Sequence, residues 1–193
     1  LRELRGSYAG AIGWGQFMPS SWTQYGVDFD GDGRVALHRS EVDAIGSVAH
    51  YLAAFGWQKG LPTHRPVQPP ADPQALARLM EPDIRPSFTA ARLAEMGVGL
   101  DAADLALSPP LALVELRNGA DAPPQYWIGT QNFWVVTRYN WSAYYAMAVI
   151  QLGEAVARQR QVQAALVQSE TAATAATAPA APPTASAPSA PVR

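Results

Sequence analysis

Apolar residues recur at spacings of three and four along Val42, Ile45, Val48, Leu52 and Phe55, the period of a helix with one buried stripe. Ser40 ahead of that stripe, with Glu41 and Asp43 in the first turn, is a start signal, and Gly56 is a stop. A shorter helix is predicted from Ser21, because Ser21 and Gln24 have capping-box spacing. Pro62, Pro66, Pro69, Pro70 and Pro73 then interrupt regular structure. Beyond them the pattern predicts short helices over Gln74–Met80 and Phe88–Met96, started by Asp72 and Ser87. Leu111–Arg117 reads as a strand ending at the Asn118–Gly119 turn. Tyr126–Ile128 and Phe133–Arg138 read as two more, joined by a Gly129–Asn132 turn. One long helix follows from Ser142 to about Gln168, with Ala148, Leu152, Ala155 and Val156 as its buried face. The residues from Thr171 are almost all Ala, Thr, Pro and Ser, too little apolar surface to offset ordering entropy. They read as a disordered tail, a tether or a dispensable end.

These elements divide the chain into a helical part with an internal loop (1–62), a small β-containing insert (63–137), a long helix (138–168) and a tail (169–193). The class is α+β, mainly α. Composition narrows the function. With Lys+Arg 14 against Asp+Glu 16 the net charge is −2, which lacks the basic footprint of a nucleic-acid binder. No stretch reaches the roughly 20 apolar residues of a membrane span. The absence of cysteine removes disulfides, thiol nucleophiles and thiolate metal sites. The first residue is Leu1 with no signal-peptide pattern before it, so the chain reads as a piece whose N-terminus lies elsewhere.

The sharpest chemical signal is Asp28-Phe29-Asp30-Gly31-Asp32-Gly33. An EF-hand loop offers carboxylates at positions 1, 3 and 5, a Gly at 6 and a backbone carbonyl at 7. Asp28, Asp30, Asp32, Gly33 and Arg34 occupy those positions. Position 12, normally Glu, is Arg39, so a later carboxylate must close the site. Asp43 is the better candidate and Glu41 the runner-up. The alternative is an Asp/Gly-rich turn without metal. A single site with no second hand favours a structural calcium over a sensor.

The segment GSYAGAIGWGQFMPSSW (6–22) mixes small residues with aromatic rings, an amide and hydroxyls, which is what a sugar cleft needs and also what a tightly packed helix pair uses. Together with DFDGDGRV (28–35), VDAIGSVAHYLAAFGW (42–57) and YWIGTQNFWVVTRYNWSAYYAMAVIQLGEAV (126–156), it resembles the lytic murein transglycosylase B family of bacterial cell-wall enzymes. The resemblance covers most of Leu1 to Val156, is weakest from Thr63 to about Pro110, and excludes the tail.

That resemblance implies a lysozyme-like helical core with an EF-hand-like calcium loop over 28–43 and a small β-containing insert. It implies calcium held by Asp28, Asp30, Asp32, the Arg34 carbonyl and Asp43. It implies cleavage of the β-1,4 bond between N-acetylmuramic acid and N-acetylglucosamine in peptidoglycan, without water. One Glu protonates the leaving oxygen and then deprotonates the muramic C6 hydroxyl, closing a 1,6-anhydro ring. Ordinary glycosidases need two carboxylates; here the nucleophile belongs to the substrate. The family's Glu lies before the GSYAGA segment, hence upstream of Leu1, so no catalytic residue is assigned within the chain; Glu3, Glu115 and Glu154 are poor substitutes. Ser7, Gln16, Tyr139, Asn140 and Tyr145 match residues that line the family's glycan cleft. Core packing is the competing reading for Tyr139 and Tyr145, and a helix cap for Asn140. The expected partner is the glycan strand of peptidoglycan, not nucleic acid, and the compartment is the periplasm, with an outer-membrane anchor in the missing N-terminal part as an option. Synthesis or division partners are unknown. The rival reading is an inactive module that binds peptidoglycan and calcium. His38, His50 and His64 show no ligand spacing. Arg117 and Arg138 could meet peptide-stem carboxylates, with surface charge as the simpler reading.

Overall fold

A computed structural model describes residues 6–108 and 110–176, with side chains up to Ser169. Glu3 and the tail beyond Ala176 lie outside the described residues. Two compact units divide at Ile150, within the last helix.

The described residues do not open on a helix. Residues 6–17 form two tight reversals closed by bridges between Gly6 and Ile12 and between Ile12 and Phe17. Glycine-rich sequence cannot hold a helix against its own backbone entropy, so the segment folds as turns instead. Helix α1 (Pro19–Tyr25) starts earlier than Ser21: Pro19 at its first turn fixes a helical φ, and no side chain caps it. The expected Ser21–Gln24 capping box is therefore not what begins it. Helix α2 (Glu41–Ala54) starts where expected, with the Ser40 side chain accepting from the Asp43 N–H.

Part of the expected stripe packs inward, with Val48, Leu52 and Phe55 partly buried against Phe17, Leu37 and Tyr51, but the fully buried face of α2 differs from it. Its buried residues are Asp43, Ala44, Gly46, Ser47 and Tyr51. Val42 is 47% exposed and Ile45 70%. Small and polar residues win the interior because the acidic loop and the Gly-rich segment lie against them. At Gly46 an added Cβ would sit 2.4 Å from the Phe29 ring, so only glycine admits that ring.

The insert holds more than was expected. Strand β1 (His64–Val67) arises within the Pro-rich stretch, on a sheet edge where Pro66 costs no ladder bond. Helix α3 (Pro73–Met80) follows its Asp72 cap. Helix α4 (Ala90–Glu95) starts at Thr89, not Ser87, because the Ser87 and Phe88 N–H groups pair with the Leu111 carbonyl. A further short helix, α5 (Ala102–Leu105), carries a capping box of Asp101 and Asp104. Strands β2 (Ala112–Leu116) and β3 (Gln125–Gly129) complete an antiparallel sheet in the order β1-β3-β2. Both faces of β2 are covered. Ala112, Val114 and Leu116 join one cluster with Phe133, Met147 and Ile150, while Leu111 and Leu113 join another with Leu79, Leu93 and Ile128.

The expected third strand at Phe133–Arg138 is a helix, α6 (Gln131–Thr137). Its β-branched and aromatic residues favour a strand, but the Thr130 hydroxyl accepts the Asn132 N–H and starts a helix. Asn132 is buried and ties that start to the Gln58 and Leu61 carbonyls, both at 2.7 Å. Helix α7 (Ala143–Ala176) is longer than expected and enters the stretch assigned to the tail. Its buried residues are Ala146, Met147 and Ile150, whereas Ala148, Leu152, Ala155 and Val156 are exposed. An Ala-rich pattern marks no face sharply, and the contacts of β2 and α6 select the first turns.

Candidate functional site

The acidic loop brings three of the expected acids together. Asp28, Asp30 and Asp43 place one carboxylate oxygen each within 4.8 Å of one another. Asp32 stands outside that group, its carboxylate accepting the Arg34 N–H at 2.9 Å. Glu41 is outside it too. Backbone N–H groups organise the loop: Asp28 accepts from Gly31, Asp32 and Gly33 at 2.7, 3.1 and 2.8 Å. The Ser40 hydroxyl donates to Asp30 at 2.6 Å.

Asp43 is fully buried and accepts from Phe29 (2.8 Å), Asp30 (3.3 Å) and Ala36 (2.8 Å). The Ala36 N–H is the largest influence holding its carboxyl below the ordinary range. Burial opposes that, and the Phe29 and Asp30 N–H groups add to it. Asp43 therefore closes the loop on α2 whether or not a cation sits in it. The convergent carboxylate oxygens are the hard donors that calcium takes.

Beside the loop, the Gly-rich segment is pinned across its length. The Trp14 N–H donates to the Leu37 carbonyl at 2.9 Å, and the Trp14 indole N–H to the His38 carbonyl at 3.3 Å. Gln16 has a φ of +49°, an uncommon state for a residue with a Cβ. Its side-chain amide donates to the Gly13 carbonyl at 2.9 Å. Buried Phe17 packs on Tyr51 and Tyr139 with ring centroids 5.8 and 5.7 Å away.

An open groove runs along α2 between this segment and the α6–α7 corner. Two cavities of about 310 Å³ each share Trp14, Gly15 and Val48. One extends to Glu41, Ala44 and Ile45. The other is walled by Gln16, Leu52, Val136, Tyr139, Tyr145 and Val149. Of the expected glycan residues, Gln16, Tyr139 and Tyr145 therefore meet in one cavity. Ser7 and Asn140 are not among the residues lining these two cavities. The Ser7 hydroxyl accepts the Ala11 N–H at 3.0 Å, and Asn140 is exposed, with its carbonyl accepting from Ser142. Asn140 is not the cap of α7; the Ser142 hydroxyl accepts the Tyr145 N–H. Trp14, 62% exposed, and Val48, which line both cavities, are among the groove residues not expected individually from the sequence. Of the α2 stripe, Ile45, Val48 and Leu52 reach this opening, while Val48, Leu52 and Phe55 also pack on Phe17 and Tyr51.

Tyr139 serves packing and groove together. Its phenol donates to the Gly15 carbonyl and tethers the α6–α7 corner to the Gly-rich segment. Burial pushes its pKa well above the ordinary tyrosine value, with Tyr145 and Tyr51 adding to that. The Tyr51 phenol donates to the Arg138 carbonyl at 2.6 Å and fixes the same corner from α2. Tyr139→Phe strands the Gly15 carbonyl and is expected to cost about 1–2 kcal/mol in urea unfolding. Because Tyr139 titrates higher folded than unfolded, stability falls as pH rises above about 10, and the variant loses that part of the alkaline decline.

Among the described acids, none stands with Gln16, Tyr139 and Tyr145. Asp43 is taken up by three N–H groups, and Glu115 pairs with Arg117 and accepts from Tyr126. Glu41 lies in the other cavity.

The chain matches the model of the Transglycosylase SLT domain over residues 1–154. It is 45% identical over 158 residues to the membrane-bound lytic murein transglycosylase B of Escherichia coli K12, covering 82% of this chain and 41% of that protein. The E. coli lytic transglycosylase Slt35 in complex with calcium superposes with a TM-score of 0.66 at 42% identity, covering 81% of this chain and 47% of that one. SltB3 from Pseudomonas aeruginosa in complex with NAG-NAM-pentapeptide gives 0.60 at 36% identity, covering 75% and 38%. The chain thus spans less than half the length of these relatives.

Proposed function

Because the chain belongs to the transglycosylase SLT domain family, we propose that it is the groove-bearing part of a peptidoglycan lytic transglycosylase. The observation that supports this best is the meeting of Gln16, Tyr139 and Tyr145 with exposed Trp14 along one open groove. Flat rings suit the C–H faces of pyranoses, and the amide suits their hydroxyls. The substrate is a glycan strand bearing peptide stems, a reading that the NAG-NAM-pentapeptide bound by SltB3 supports. The bond cleaved is the MurNAc-β-1,4-GlcNAc bond, with a 1,6-anhydromuramoyl product.

One Glu does the acid and base work, and it comes from chain preceding Leu1. A carboxyl in the apolar surroundings of Val48, Leu52 and Val136 would have a raised pKa, as a general acid at neutral pH requires. The residues of this chain bind and orient: Trp14 and Tyr145 take ring faces, Gln16 takes hydroxyls, and Tyr139 holds the groove's two walls together. The enzyme acts on the periplasmic cell wall. Among the described residues no helix is long and apolar enough to cross a membrane.

Calcium sits in the acidic loop on Asp28, Asp30 and Asp43, with Asp32 and the Arg34 carbonyl completing the set. It neutralises clustered carboxylates and fixes the loop against α2. Calorimetric titration is expected to show one site; no uptake at millimolar calcium removes this assignment. Trp14→Ala is expected to weaken binding to peptide-free glycan at least tenfold, while its exposure keeps the melting temperature within about 2 °C of the parent. Unchanged affinity would remove Trp14 from the glycan groove.

A further inference from the structure

Most arginines with a described partner here find a carboxylate. Arg65 pairs with Asp101 and Asp104, Arg92 with Glu95, Arg117 with Glu115 and Arg158 with Glu154. Arg85 and Arg138 have no ion pair among the described residues and stack on indole rings instead. The Arg138 guanidinium carbon lies 4.7 Å from the Trp134 ring centroid and 4.8 Å from that of Trp141, and the two indoles meet edge-on at 84°. Arg85 lies 5.4 Å from the same Trp141 ring. Two cations are thus gathered around one indole that is 46% exposed.

The ring faces hold these guanidiniums without using their N–H donors, which lie in the guanidinium plane. Stacking also removes the flexibility that makes a free surface arginine a poor ligand. A planar fork of donors held in place fits a carboxylate, which it can grip with two parallel bonds.

We propose that Arg85 and Arg138, held on Trp141 and Trp134, bind a carboxylate of the peptide stem carried by the glycan strand. This rests on the glycan reading of the groove. The geometry favours the peptide over the sugar. Trp134 and Val136 are two residues apart on α6, so they project about 200° apart around its axis. Val136 lines the groove, and the platform therefore faces away from it. A sugar ring in the groove does not reach that side. A five-residue stem, extended, has a reach of about 17 Å, several times that of a sugar ring. Arg117, the other arginine considered for this role, is taken by Glu115.

The test is calorimetric binding of the whole chain to GlcNAc–MurNAc-pentapeptide and to the same disaccharide stripped of its peptide. The parent is expected to prefer the peptide-bearing ligand about tenfold at low salt, and less at high salt. In R85Q/R138Q the ratio falls to near one, and in R85K/R138K it is partly retained. R85Q alone carries the test if the double variant does not fold, because Arg85 is exposed. A ratio unchanged in the glutamine variants, or a drop in melting temperature with no change in ratio, makes the platform a packing device and overturns the proposal. A parent that binds both ligands equally overturns it while leaving the glycan groove standing. A parent that binds neither overturns both.

Discussion

Replacing Asp43 by Asn is expected to abolish calcium uptake and to lower the melting temperature by on the order of 5–10 °C even without calcium. The substitution is nearly isosteric, so packing is preserved and the effect isolates the acceptors. Oδ1 still receives the Phe29 and Asp30 N–H groups, but the new amide nitrogen presents a donor to the Ala36 N–H. A buried donor then faces a buried donor, and the charge that strengthened all three bonds is gone. The pH dependence has a fixed sign. Asp43 has a lower pKa folded than its ordinary 3.8, so its stabilisation is present above that value and is lost as pH falls through the lower folded one. The acid limb of the stability curve should be shallower in the variant. Scanning calorimetry across pH 2–6 checks this, and an unchanged melting temperature would show that the loop closes without Asp43.

Gly13→Ala carries the second large effect, about 3 kcal/mol of stability. Gly13 has a φ of +76°, which costs an L side chain roughly 1–2 kcal/mol. An added Cβ would also stand 2.5 Å from the Leu37 carbonyl oxygen. That carbonyl accepts the Trp14 N–H, so the clash pushes apart the two segments the bond joins. Trp14 and Gln16 leave their places together, and glycan affinity should fall with stability. Urea unfolding and glycan titration measure the two losses; a loss under 1 kcal/mol would mean the reversal at Gly13 is not tightly held.

What was legible in the sequence followed from local chemistry. Ser40, Asp72 and the acidic loop each state their own geometry, because a cap or a turn is decided by residues within four positions. Burial was not legible in the same way. The apolar stripe of α2 is core only in part, Val48, Leu52 and Phe55 packing inward while Val42 and Ile45 are exposed, because periodicity gives a face and not what covers it. Asp43 and Ser47 take the interior through bonds to Phe29, Ala36 and Val27, contacts across a loop that helical periodicity does not report. Phe133–Arg138 shows a second limit: six residues of strand propensity are overruled by one threonine hydroxyl at Thr130. The groove was half legible. Gln16, Tyr139 and Tyr145 were expected and converge, whereas Ser7 and Asn140 were expected and are not among its lining residues. Arg138 could be named from sequence only as a charge; its indole partners, and the contrast with paired Arg117, needed the α6–α7 corner.

The most direct measurement digests purified peptidoglycan with this chain and with a version extended upstream of Leu1, and reads the products by mass spectrometry. The extended protein should release 1,6-anhydromuropeptides and no hydrolysed reducing ends, and the chain alone should release neither. Hydrolytic products, or none from the extended protein, would contradict the lytic transglycosylase assignment; anhydro products from the chain alone would contradict an acid supplied from upstream.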